Sequence, residues 1–134
     1  MPEGDTIHRS AAALHAALAG KRLVSFELRR NVALARLRRL DPATEIGVAL
    51  LDQRVAAGIG NVYKSEICWI ERVSPFAPVG ALDDALHRRL FAAAHRLLRA
   101  NRDSSRRVTY EGGLAVYGRA GRPCPRCRTV LQRR

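Results

Sequence analysis

Lysine is nearly absent from this chain: of 24 basic residues in 134, only Lys21 and Lys64 are lysines and 22 are arginines. Acidic residues are scarce too, 12 in all, which leaves a formal net charge of +12. A basic balance of that size draws polyanions, and the arginine fork suits phosphate, so nucleic acid is the leading partner class. Aromatic residues make up only 5%, too few for a platform that stacks unpaired bases, so the duplex backbone is the expected target. No apolar run approaches the roughly 18 residues of a membrane-spanning helix. The arginines are scattered rather than set along one strongly apolar helix, which puts a membrane-surface role aside. Cysteine is rare at three residues, and two of these form Cys124-Pro125-Arg126-Cys127, which is no secreted disulfide framework. Glu3, Asp5, His8 and Arg9 open the chain where a secretory leader would put positive charge and then an apolar stretch, so export is not expected.

Periodicity predicts a mainly helical chain. Residues 5 to 19 carry Ile7, Ala11, Leu14 and Leu18 at helical spacing, with Asp5 or Thr6 to cap the start and Gly20 to stop the end. From Arg22 to Arg29, Val24, Phe26 and Leu28 alternate with polar residues, the period-2 signature of a strand. No second strand follows to pair with it, only the arginine-rich stretch from Val32 to Leu40, and a lone strand is not stable. Asp41-Pro42 predicts the start of a helix running through Ile46, Ala49, Leu50 and Gln53 to about Ala57. Gly58-Ile59-Gly60 makes a tight turn, and a second helix is expected from Asn61 to about Arg72. Ser74-Pro75 and Pro78 break the chain, after which Asp83 or Asp84 caps a helix carrying Leu86, Leu90, Ala93, Ala94 and Leu97 and ending near Asn101. Short extended pieces are expected at 108–110 and 114–117, before the cysteine pair.

Several residues could carry chemistry. Removal of Met1 leaves Pro2 as a free secondary amine, and an α-amine ionises near roughly pH 8, low enough to act as a nucleophile and form a Schiff base. Glu3 beside it is suited to moving a proton. Gly60 lets the backbone approach a ligand, and Asn61 at a helix head offers an amide and free N–H groups to a phosphate, although an Asn after a glycine turn can also simply cap a helix. Lys64 could reach backbone phosphate from the same helix. Gln53 and Glu66 are expected to be structural, holding the two helices together by polar pairing. Cys124 and Cys127 offer two corners of a zinc tetrahedron, and no second pair follows. His8, His15, His87 and His95 fall inside expected helices as surface or packing residues, and Cys68 next to Trp69 is expected in the core.

Three stretches, in this order, resemble the formamidopyrimidine-DNA glycosylase and endonuclease VIII family. They are Pro2-Glu3-Gly4-Asp5-Thr6, closer to the endonuclease VIII branch; Gln53-Arg54-Val55-Ala56-Ala57-Gly58-Ile59-Gly60-Asn61-Val62-Tyr63-Lys64-Ser65-Glu66, which looks like the helix-two-turn-helix motif; and the tail from Tyr117 to Cys127. The resemblance implies base-excision repair of oxidised bases by a bifunctional DNA glycosylase and apurinic-site lyase. In that reading Pro2 attacks the sugar of a flipped nucleotide, Glu3 donates the proton, and Asn61 with the Gly60 backbone binds the neighbouring phosphate. Cys124 and Cys127 would be half of a structural zinc finger. The implied partner is damaged duplex DNA, with no membrane and no small-molecule cofactor, bound by a monomer in the bacterial cytoplasm at the nucleoid.

The implied organisation is a remnant of a catalytic β-sandwich at 1–30, a helix-two-turn-helix domain at 31–102, and a linker with a partial zinc finger at 103–134, mainly α here and α+β in the complete family. Most of the sandwich is missing between Arg30 and Asn31, with the elimination lysine the family carries, which Lys21 does not match. The second cysteine pair and the finger arginine are missing as well, and Arg133 and Arg134 do not stand in for it. Residues 1 to 30 cannot close a core by themselves, so the chain alone is expected to be a poor enzyme. The competing expectation is a non-catalytic duplex-binding module, because the helix-two-turn-helix also occurs in an RNA-binding ribosomal protein.

Overall fold

The computed structural model describes residues 4–20, 30–101 and 106–133. Pro2, Glu3 and the strand expected at 22–29 lie outside the described residues. The chain is mainly helical, with no strand among the described residues: α1 is Gly4–Leu18, α2 Arg30–Leu37, α3 Ile46–Leu51, α4 Asn61–Ile70 and α5 Asp84–Asn101, with a 3-10 turn at Val79–Ala81. None of these helices is long and apolar enough to cross a membrane.

The core lies among α2 to α5. Helix α4 packs against α3 and α5, and α2 packs against α5. Leu37, Ile46, Leu50, Ile59, Ile67 and Leu90 are its large, fully buried side chains, drawn from every one of these elements and from the turn before α4. On α5, Leu90, Phe91, Ala93, Ala94 and Leu97 face inward, and the Asp83 carboxylate accepts the Leu86 N–H at 2.7 Å, capping the first turn. In contrast, residues 10–17 of α1 are all exposed, Leu14 at 60%.

One helix was not expected, and one expectation needs correction. Helix α2 covers residues 30–37, with Leu34 and Leu37 three residues apart on its buried face. The helix expected from Asp41 to Ala57 is only six residues long. Its front is a turn in which Asp41 Oδ1 accepts the Ala43 N–H at 2.9 Å and the Asp41 carbonyl accepts that of Thr44 at 2.8 Å. The N–H groups of Ile46 and Gly47 are then taken by the carbonyls of Ala77 and Pro75, each at 2.8 Å, so the helix begins only there. At its far end Asp52 accepts from Arg54 through both backbone and guanidinium, and the chain turns away.

The short extended pieces expected at 108–110 and 114–117 form no ladder: residues 106–133 hold turns, bends and isolated bridges. Thr109 and Tyr110 both donate backbone N–H to Gly113 O. Residues 121–131 form a small hairpin, with Gly121 donating to Leu131 O at 2.8 Å and Leu131 to Arg122 O at 2.9 Å. Asn101, the last residue of α5, is buried and joined to Val108 in both directions: its Nδ2 donates to Val108 O at 3.0 Å and its Oδ1 accepts the Val108 N–H at 2.7 Å.

Candidate nucleic-acid interface

The turn between α3 and α4 is built around Gln53. Its side-chain amide donates to Leu51 O at 3.1 Å and Ile59 O at 3.0 Å, while its Oε1 accepts the Gly58 N–H at 2.9 Å. One side chain thus satisfies the polar groups of a loop that would otherwise expose them. Gly58 has φ +91°, in the region only glycine adopts cheaply, and Ile59 is 2% exposed, pinning the turn to the core.

The turn delivers an open helix start. Gly60 is the N-cap of α4 and supplies no side-chain hydrogen bond, so the first N–H groups of α4 face outward without a side-chain acceptor. Gly60 has φ −109°, which any residue adopts, and nothing lies within 4 Å of where a Cβ would stand. The missing side chain therefore leaves room rather than conformational freedom. Asn61 is the first helical residue and not the cap. Its Oδ1 accepts from Lys64 Nζ at 3.1 Å, which brings the ammonium over the same helix start. The structure thus gathers Gly60, Asn61 and Lys64, the three residues singled out for phosphate. Positive charge and the helix dipole reinforce one another there.

Arginines flank this start. Arg36 of α2 donates Nη1 to Arg54 O at 2.7 Å, tying α2 to the turn. Arg54 is 88% exposed and paired with Asp52, whose carboxyl is lowered to about 2 by the side-chain hydrogen bond from Arg54. Arg107 stands over the ring of Tyr63 in the first turn of α4, 5.8 Å from its centroid.

Glu66 is structural, but not as the sequence suggested. It does not pair with Gln53. Fully buried, its Oε1 accepts the N–H groups of Val116 and Tyr117 and its Oε2 that of Ala115, each at 2.8 Å. The Thr109 hydroxyl donates to it as well. The carboxylate binds the C-terminal arm to α4.

The cysteine hairpin meets the far end of the same helix. Cys124 Sγ accepts the indole Nε1–H of Trp69 at 3.4 Å, and the backbone N–H groups of Cys127 and Arg126 lie on the same side of the hairpin turn as a source of positive potential. Those donors, the Cys127 N–H foremost, lower its pKa from the ordinary 9 to about 7. N–H groups aimed at sulfur suit a thiolate bound to a cation. As half of a zinc site the hairpin fits, with Cys124 buried and Cys127 exposed. Among the described residues no three His, Cys, Asp or Glu stand close enough to share an ion, so two further ligands would have to come from outside them. Cys68 is a core residue as expected, its thiol pushed up to about 11 by burial. His15 is exposed, His95 half-buried and His87 buried, none of them near the cysteines in a metal group; the side chain of His8 lies outside the described residues. Sequence reasoning missed Trp69, Thr109 and Asn101, whose partners lie far along the chain or beyond a loop.

Comparison with known proteins bears on this geometry. Residues 26–108 match the family described as formamidopyrimidine-DNA glycosylase H2TH domain. The chain is 55% identical over 97 residues to a protein named probable endonuclease 8 2 from Streptomyces coelicolor, covering 70% of this chain and 35% of that protein. It is 38% identical over 108 residues to the formamidopyrimidine-DNA glycosylase of Thermus thermophilus, covering 70% of this chain and 40% of that protein. The crystal structure of MutM (Fpg) from Thermus thermophilus superposes with a TM-score of 0.66 at 34% identity, over 78% of this chain and 44% of that one. A structure of MutM in complex with DNA containing carbocyclic 8-oxo-G superposes with a TM-score of 0.56 at 27% identity, over 77% and 40% of the two chains. The chain thus spans well under half the length of these relatives.

Proposed function

The chain belongs to the formamidopyrimidine-DNA glycosylase and endonuclease VIII family, and on that footing we propose that it is the DNA-gripping part of a base-excision-repair glycosylase with apurinic/apyrimidinic lyase activity on oxidised bases. The observation that carries this reading is the start of α4, where an uncapped row of N–H groups, the empty space before Gly60, and the paired Asn61 and Lys64 side chains face outward together. That combination suits a duplex phosphate next to a lesion. Relatives in this family include MutM bound to DNA carrying an oxidised guanine analogue and Lactococcus lactis Fpg bound to DNA with an abasic site, which supports damaged duplex DNA as the partner.

In this proposal the nitrogen of Pro2 attacks C1′ of the flipped nucleotide, and the base leaves with a proton from Glu3. The C1′–O4′ bond then breaks, O4′ taking a proton, which leaves an iminium between C1′ and Pro2; it acidifies C2′, so loss of that proton expels the 3′ phosphate, and water then releases Pro2. Asn61, the Gly60 backbone and Lys64 hold the phosphate. Cys124 and Cys127 hold half of a zinc site whose role is to shape the finger. The catalytic portion is assigned to 1–30, the helix-two-turn-helix domain to 31–102 and the finger arm to 103–134. The protein works as a monomer in the bacterial cytoplasm.

The test is borohydride trapping on a duplex with one abasic site, followed by mapping of the cross-linked peptide. An adduct at Pro2, lost in Pro2→Gly while duplex binding persists, supports the lyase. Duplex binding with no adduct supports instead a non-catalytic module.

A further inference from the structure

Helix α5 is buried on one side only. Leu90, Ala93, Ala94 and Leu97 face the core, where α4 and α2 pack against it. On the opposite side Ala85, Arg88, Ala92, Arg96 and Arg99 follow one another at steps of three and four residues and are all exposed. That spacing sets them in a single stripe. From Arg88 to Arg99 it runs about 16 Å, by the helical rise per residue. Two neighbouring arginines are neutralised: Arg38 of α2 pairs with Asp84, and Arg89 with Glu71 at 3.0 Å. Asp84 also feels the charge of Arg88, but its carboxylate is already taken by Arg38. Among the described residues no carboxylate is in ion-pair reach of Arg88, Arg96 or Arg99. Arg96 and Arg99, three residues apart, repel one another, and an anion laid along the stripe would remove that cost.

We propose that this stripe is a second duplex-binding face, which holds the backbone of a separate DNA segment while the start of α4 holds the first. The inference rests on the reading of the chain as a duplex binder. Charge complementarity selects the occupant. Guanidinium forks suit phosphate, and a duplex carries its charges so closely that a row of this length spans several of them. The apolar members of the stripe are alanines alone, which give an apolar partner little area to bury but let a polyanion approach the helix closely. Because the stripe lies on the side of α5 away from α4, the two segments do not compete for one surface. A protein with two such faces passes between segments through a bridged intermediate, without first leaving DNA.

The experiment follows release of a fluorescent duplex from the 134-residue chain as unlabelled duplex is added in increasing excess. Release through free protein has a rate independent of the excess, whereas bridged transfer speeds up with it. The wild-type rate is expected to rise in proportion to the competitor, with a log–log salt slope of about −3 for three neutralised phosphates. Arg88→Gln, Arg96→Gln and Arg99→Gln together are expected to flatten that rise, while affinity for a single duplex stays within about three-fold and the melt is kept. A flat wild-type rate, or a rise that survives in the triple variant, overturns the proposal, as does a wild-type chain that binds no duplex. Polyglutamate that speeds release as well as duplex does would make the stripe a face for acidic chains at large and overturn its assignment to DNA. Two protein copies in the bridged complex, seen by sedimentation, would overturn it too, by placing the second segment on a neighbouring molecule. Failure of trapping at Pro2 would leave these release rates unaffected, so the two readings fail separately.

Discussion

Glu66 Oε2 accepts the Ala115 N–H at 2.8 Å across 49 residues of sequence. With Val116, Tyr117 and Thr109 also donating to the same carboxylate, α4 and the C-terminal arm share one buried anion. Glu66→Gln replaces one acceptor by an NH2 that faces N–H donors. We expect a loss of roughly 2–4 kcal/mol, the range of charged hydrogen bonds broken with buried donors left over, read as a lower urea midpoint. An unchanged midpoint would mean that the arm is held elsewhere.

His87 is 5% exposed and neither ring nitrogen has a hydrogen-bond partner; the nearest carboxylate oxygen, on Asp84, is 3.9 Å away. Buried polar atoms without partners cost stability. His87→Leu is therefore expected to raise stability by about 1–2 kcal/mol in equilibrium unfolding. Destabilisation would show that the imidazole shape, rather than its polarity, governs the site.

The two glycines of the α4 turn should separate cleanly. Gly58→Ala forces a side chain into φ +91° and should cost about 1–2 kcal/mol of stability. Gly60→Ala meets empty space at an ordinary φ, so the melt should not move while duplex affinity falls, as measured by fluorescence anisotropy. A Gly60→Ala chain that binds duplex like the wild type would remove Gly60 from the interface.

Asn61→Ala deletes both an amide at the helix start and the acceptor that holds Lys64. Duplex affinity is expected to drop by about 1–3 kcal/mol regardless of sequence. Retained affinity would reduce Asn61 to a local partner of Lys64.

Asp52 has a folded-state pKa depressed to about 2 from an ordinary 3.8, chiefly by the Arg54 hydrogen bond. A depressed carboxyl stabilises the fold above the unfolded value and loses that contribution as pH falls through the folded one. The effect of Asp52→Asn on the urea midpoint should therefore be full at pH 5 and shrink between pH 4 and pH 2. A pH-independent difference would detach the Asp52–Arg54 pair from the stability of the turn.

Much of this was legible in residue order. The periodic apolar positions of α5, the glycine turn and the gathering of Gly60, Asn61 and Lys64 all follow from local spacing, which backbone geometry converts directly into placement. Helix α2 was legible but overlooked, because the arginines at 36, 38 and 39 masked the Leu34 and Leu37 pair. Asp41-Pro42 misled, since the same residues open a turn when distant carbonyls at 75 and 77 compete for the N–H groups of the next helix. Glu66 and Trp69 could not be read, as their partners lie 41 to 57 residues away and only tertiary folding selects them.

The two-way exchange between Asn101 and Val108 closes the neck of the stretch between them. The exchange joins the last residue of α5 to the start of the C-terminal arm, so the two are tied at that point. Each doubling of such a loop costs only about 0.6 kcal/mol in closure entropy. Because the exchange ties positions 101 and 108 together, an insertion between them is expected to leave α5 and the arm in register, which makes this a position for a peptide tag or a dye-bearing cysteine.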